Sequence, residues 1–184
     1  MAVLIYSIVA LVLGLVSAPS QDRGNGIVDP RAIAVRWVID NEVRSLAQAG
    51  LPLPSERLAF CVGTTVGAVQ AGSAPTSAEA FWASIRDVKN PSSEFIHRIK
   101  DARFDLFGAE GCRQNPLGAP IDTATGRVTR GNISVGPMYQ LESRDVEVLV
   151  NIGRNLSSAT GWVLRFAPVA DGWKLIDVRL VWQA

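Results

Sequence analysis

From Ile133 to the C-terminus, the apolar residues of this chain recur at every second position. Ile133 and Val135 open the series; Val146, Val148, Val150 and Ile152 form one row, Trp162, Leu164 and Phe166 the next, and Ile176, Val178, Leu180 and Trp182 the last. Successive side chains of a strand point to opposite faces, so each row predicts a strand with one buried face. Asp171-Gly172 marks a tight hairpin between the last two strands, and Asn155 to Ala159 a longer loop between the preceding pair. The expectation is a four-stranded antiparallel meander whose final row, Ile176 to Trp182, is buried against helices.

The first half reads differently. Asp29 is placed to cap a helix with Pro30 at its first position, where a missing N–H costs nothing. Val35, Ile39, Val43 and Leu46 then recur at helical spacing, widened by Trp37, up to Gly50 as the terminating glycine. Pro52 and Pro54 interrupt the chain before a short strand from Arg57 to Val62. Gly63 to Pro75 reads as a loop; without a Gly-Lys-Ser/Thr ending it is not a phosphate-binding one. Thr76 and Glu79 form a capping box for a second helix packed through Phe81, Ile85 and Val88, and Asn90-Pro91 opens a short third helix to Lys100. Phe104 and Leu106 mark a brief strand, and Arg113 to Thr125 reads as connection. The predicted class is therefore α+β: N-terminal helices packed on one face of a curved antiparallel sheet formed mainly by the C-terminal four-stranded meander.

Residues 3–16 are an uncharged apolar run followed by Ser17-Ala18-Pro19-Ser20. The run falls short of the roughly 20 residues that span a bilayer, and with small residues after it, it reads as a signal peptide over 1–20, cleaved after Ser20. The rival reading is an uncleaved anchor, since no Lys or Arg precedes the run. Residues 21–28, with Gly24 and Gly26, read as a flexible tether, and 29–184 as a single domain. The expected location is exported, periplasmic or secreted, with no membrane association after leader removal. Cys61 and Cys112 are the only cysteines, and in an oxidising compartment such a pair reads as one disulfide. The 18 Lys+Arg against 17 Asp+Glu argue against a nucleic-acid partner, which demands a concentrated basic surface.

Residues that carry chemistry are few. His97 is the only histidine, a candidate general base that Asp40 or Asp101 would orient; it falls on the polar side of its helix. There is no HExxH, paired-His or CxxC spacing, so no metal site is expected, and no G-x-S-x-G elbow. No cofactor is expected. Five tryptophans, Trp37, Trp82, Trp162, Trp173 and Trp182, read as core anchors; clustered and exposed, they would form a carbohydrate or apolar ligand platform. Asn132 and Asn155 each begin a glycosylation sequon.

The layout of a leading helix and helical segments followed by a meander that closes on Gly172-Trp173 resembles the NTF2-like, or more loosely cystatin-like, α+β architecture. Cys61, Cys112, Gly172-Trp173 and Trp182 together are similar to a pattern in uncharacterised secreted bacterial proteins. The NTF2-like resemblance implies a cone that serves either as an enzyme pocket or as a binding module, so fold alone does not decide function. The reading that follows is an exported, non-enzymatic module of the cell envelope that binds a small ligand or another envelope protein. The alternative is a small NTF2-like enzyme with Asp40 or His97 as acid or base in a pocket between the first helix and the sheet. A filled cone favours the binder.

Overall fold

A computed structural model describes residues 29–50, 57–65 and 69–184. The proposed leader, the tether, and Pro52 and Pro54 lie outside the described residues. Helix α1 spans Pro30–Gln48, with the Asp29 side chain accepting from the Arg31 N–H and Gly50 in the left-handed region at φ 66°. Strand β1 spans Leu58–Thr65 and β2 Gln70–Ala71; α2 is Ala78–Ser84, β3 Val88–Lys89 and α3 Ser93–Ile99. Then come β4 (Phe104–Gly108), β5 (Cys112–Gln114), β6 (Pro120–Asp122), β7 (Gly131–Gln140), β8 (Val146–Asn155), β9 (Ser158–Val169) and β10 (Gly172–Gln183). The class is α+β, with a mostly antiparallel sheet. Among the described residues no helix is long and apolar enough to cross a membrane.

The main sheet runs β10-β9-β8-β7-β1-β3, with β4 also on β1 and β2 on β7. Every pairing from β7 to β10 is antiparallel, but β1 lies parallel to both β4 and β7. β1 therefore brings a parallel element into the sheet that the C-terminal rows alone do not disclose. On one face, Ala32, Ala34, Val35, Val38 and Ile39 of α1, with Phe95 and Ile99 of α3, pack against Phe60, Val62, Ile133, Val135, Val148, Val150, Ile152, Trp162, Leu164 and Phe166. The Trp37 and Trp162 rings meet edge to face at 5.4 Å in the same layer.

The helices are not confined to one face. Phe81 of α2, with Ile85 just after it, packs on the opposite face against Tyr139, Leu149 and Val163. The reason is in the strands themselves: Leu149 and Val163 fall between the residues of the predicted rows, so β8 and β9 are apolar on both sides and need cover on both.

Several local readings are corrected. Gly63 to Thr65 continue β1, and Gln70–Ala71 pair with β7, so the expected loop is partly sheet. Ser77, not Thr76, caps α2, since its side chain accepts from the Ala80 N–H; Val88 leaves the helix for β3. Ser92, not Asn90, caps α3, and the Asn90 side chain instead accepts from the Glu110 N–H. The Arg113 to Thr125 stretch contains the β5-β6 hairpin, turned by Asn115, whose Oδ1 accepts from the Leu117 and Ala119 N–H groups. The predicted longer loop after Asn155 reduces to Leu156-Ser157. In α1 the buried position one turn after Ile39 belongs to Glu42, while Val43 is half-buried.

The largest correction concerns β10. Ile176, Val178 and Leu180 are 48%, 38% and 54% exposed, because α1 packs mainly on β7 and β8 and leaves this stretch of the edge strand uncovered. Register shifts at Ile176 and Val181 also break the period, and Trp182 pairs with Gly161 on the face away from α1, where it stacks on Trp82 with ring centroids 4.6 Å apart. Trp82 itself is 43% exposed, so not all the predicted core tryptophans are core.

Cys61, fully buried in β1, is bonded to Cys112 at the start of β5. The bond ties the β5-β6 hairpin to the sheet face opposite α1, and the Thr129 hydroxyl lies 3.5 Å from the Cys61 sulfur. Closing a loop across 51 residues is worth about 4 kcal/mol in the chain-entropy account. Replacing both cysteines by alanine is expected to lower the unfolding free energy by about that amount, read from urea denaturation of oxidised wild type against the double variant.

Candidate anion-binding cleft

The parallel strands β1, β4 and β7 all begin at one end of the sheet, where the antiparallel β8 ends and β9 starts. This geometry collects residues that are far apart in the chain. Arg57 stands one residue before β1, Arg130 one before β7, Arg154 near the end of β8, and Arg127 in the turn leading to β7. The four surround a cleft of about 630 Å3, with Thr129, Asn155 and Ser158 among its other polar walls.

Two carboxylates face the four guanidiniums. Asp105 on β4 lies 3.1 Å from Arg57 and 2.5 Å from Arg127. Arg57 also donates to the Phe104 carbonyl at 2.8 Å and the Asp101 carbonyl at 3.1 Å, and Arg127 donates to the Arg57 carbonyl. Glu42, on α1 and only 1% exposed, accepts a forked pair from Arg154, whose Nε sits 3.0 Å from Oε2. Arg154 then donates to the Thr160 hydroxyl at 3.1 Å.

Arg130 is different. Its Nε is 3.7 Å from Glu42, beyond hydrogen-bonding distance, and its side chain donates no hydrogen bond among the described residues. At 39% exposure it presents a planar fork of donors to the cleft. With four positive groups against two negative ones among the described residues, the cleft holds an excess of positive charge there, and a carboxylate or phosphate oxygen is the group that geometry accepts.

The residues singled out from the sequence lie elsewhere. Asp40 pairs with Arg103 at 3.2 Å in a shallow surface groove beside Trp37. His97 is exposed in the last turn of α3, with no side-chain hydrogen bond among the described residues. Asp101 is no partner for it. The Arg103 side-chain hydrogen bond holds the Asp101 carboxyl down at about 2, helped by the Arg103 backbone N–H. Asp122, which accepts from the Thr125 hydroxyl and N–H in the turn after β6, is likewise held below the ordinary carboxylate range. Sequence reasoning missed the arginine group because net charge averages over the chain; only the pairing register puts four strand ends together.

A second cavity, about 390 Å3, lies on the sheet face opposite α1 between Trp82, the β5-β6 hairpin and the row Asn132, Ser134, Asn151. The side-chain oxygens of Asn132 and Asn151 are buried and have no hydrogen-bond partner among the described residues. The chain matches no protein-family model, and no curated protein or solved structure matches it significantly.

Two outcomes follow from this charge arrangement. Glu42→Gln removes a buried anion and leaves Arg154 uncompensated; because Arg154 keeps a quarter of its surface in water, the expected loss is about 2–3 kcal/mol, below the range for a fully buried pair, measured by denaturant unfolding. The folded-state value for Asp101 lies below its ordinary 3.8, so the tie to Arg103 stabilises the fold above that value and is lost as pH falls through about 2. A carboxyl-carbon NMR titration is expected to show Asp101 ionised at pH 3 in wild type and titrating in the ordinary range in Arg103→Ala.

Proposed function

We propose that this chain is an exported, non-enzymatic binding module whose arginine cleft holds an anionic group, a carboxylate or phosphate, carried by a small ligand or by another envelope protein. The observation that carries this reading is Arg130, whose guanidinium lies 3.7 Å from Glu42 and donates no hydrogen bond among the described residues, beside the more closely paired Arg57, Arg127 and Arg154. Charge-assisted hydrogen bonds to guanidinium are the strongest polar contacts a half-exposed site offers, and such a cleft attracts anions from a distance.

Export is supported by the disulfide, which persists in oxidising compartments, and by the apolar run 3–16 ahead of the domain. The NTF2-like layout remains part of the same proposal. Against the enzymatic alternative stands the packing between α1 and the sheet: Val35, Val38, Ile39, Val150, Ile152, Leu164 and Phe166 fill that space with no exposed surface, so Asp40 and His97 have no pocket there to act in.

Calorimetric titration at low ionic strength with citrate and with inorganic pyrophosphate is the direct test, the two probes separating carboxylate from phosphate preference. Binding is expected to weaken about 10- to 100-fold in Arg130→Ala, the size of one lost charge-assisted contact, and to fall with added salt. Arg130→Ala breaks no side-chain hydrogen bond among the described residues and leaves Glu42 paired with Arg154, so its melting temperature should stay near wild type. No binding of either probe, or binding indifferent to Arg130→Ala, would set the reading aside.

A further inference from the structure

Strand β10 stands at the end of the sheet order and, among the described residues, pairs only with β9. It is 12 residues long, and its outer edge presents backbone donors and acceptors together with the exposed Ile176, Val178 and Leu180. A long apolar edge is a template for another strand unless something blunts it. Here the register shifts at Ile176 and Val181 interrupt the two ends and leave Asp177, Val178, Arg179 and Leu180 as the regular stretch between them.

Charge selects what fits there. Asp177 lies opposite Arg165 of β9, but Arg165 is engaged by Asp145 at 2.6 Å, and neither Asp177 nor Arg179 forms an ion pair among the described residues. Consider β10 set antiparallel against a second β10 about a two-fold axis at Val178. Asp177 of each copy then stands opposite Arg179 of the other, and Ile176 opposite Leu180. Shifting the axis to Arg179 sets two arginines against each other, and shifting it to Asp177 sets two aspartates against each other. Opposite charges directly across a strand pair stabilise it and like charges oppose it. Isologous contact about a two-fold is also the commonest way a chain meets its own copy.

We infer that β10 is the interface of a symmetric homodimer, formed by antiparallel edge-to-edge pairing centred on Val178 with two reciprocal Asp177–Arg179 contacts. The sheet then continues through both copies, with Val178 beside Val178 and Leu180 beside Ile176 of the second copy.

The test is sedimentation equilibrium of the purified native chain, wild type against Asp177→Arg, Arg179→Asp and the double swap. Wild type is expected as a dimer at micromolar concentration, each single reversal to weaken association at least tenfold, and the double swap to restore it. Circular dichroism of the variants should match wild type, since both side chains sit on the edge. Val178→Cys is expected to form a disulfide-linked dimer on oxidation, because the axis brings that position against itself. A monomer at all concentrations, a series of growing oligomers, indifference to the single reversals, failure of the double swap to restore association, or cross-linking that favours Leu180→Cys over Val178→Cys would each overturn the assignment.

Discussion

The buried carboxylate of Glu42 governs how the two layers of this protein meet. Helix α1 meets the sheet through Ala32, Val35, Val38 and Ile39, and apolar burial by itself is non-directional. A single anion on that surface removes the ambiguity. Glu42 must find cations inside, and it finds Arg154 on β8 and, less closely, Arg130 at the head of β7. An ionised group stripped of water is costly unless hydrogen-bonded, so any helix rotation that separates Glu42 from Arg154 is heavily disfavoured. Specificity of docking is the gain, and the same contact draws Arg154 to the cleft wall with its fork already oriented.

A second constraint acts on the opposite face. Glycines at 153 and 161 keep that side of β8 and β9 low, and the Trp182 indole occupies the space above Gly161, where a Cβ would come within 2.0 Å of its Nε1. Gly161 therefore decides where β10 places its last aromatic side chain. Trp182 folds inward over the sheet to meet Phe81 and Trp82, and so couples the edge strand to α2. The disulfide holds the β5-β6 hairpin on the same side. Cover on that face is thus assembled from small pieces, whereas the other face is covered mainly by α1 and α3.

Much of this was legible in the sequence because local chemistry determined it. Asp29-Pro30 starts a helix through a side-chain cap and a preset φ, and Val146 to Ile152 declares a strand through its period; neither depends on distant residues. The cysteine pairing was legible for a similar reason, since two cysteines leave one intramolecular choice. What escaped was everything set by register. The parallel placement of β1, the outward turn of Ile176, Val178 and Leu180, and the inward position of Glu42 all depend on which strand lies beside which. Ser77 and Ser92 won their caps by one or two residues over Thr76 and Asn90, a difference that several adjacent hydroxyls and amides leave open until the helix is packed.

The candidate site belongs wholly to that second category. Asp40 and His97 attracted attention because acids and a lone histidine are conspicuous residue types, yet one is tied to Arg103 at the surface and the other faces solvent. Arginines 57, 127, 130 and 154 are unremarkable one by one, spread over nearly a hundred positions of a chain with balanced charge. They become a site because strand ends converge and because, among the described residues, the two carboxylates beside them hydrogen-bond or pair closely with three of them and touch Arg130 only at 3.7 Å. Arg57, Arg127 and Arg154 spend their hydrogen bonds on Asp105, Glu42, Thr160 and backbone carbonyls, so they supply shape and potential more than free donors. Among the described residues, Arg130 is the one of the four whose fork donates no hydrogen bond. A structural ion-pair network satisfies its members, so the unsatisfied one marks where the network stops serving the fold and begins to face a ligand.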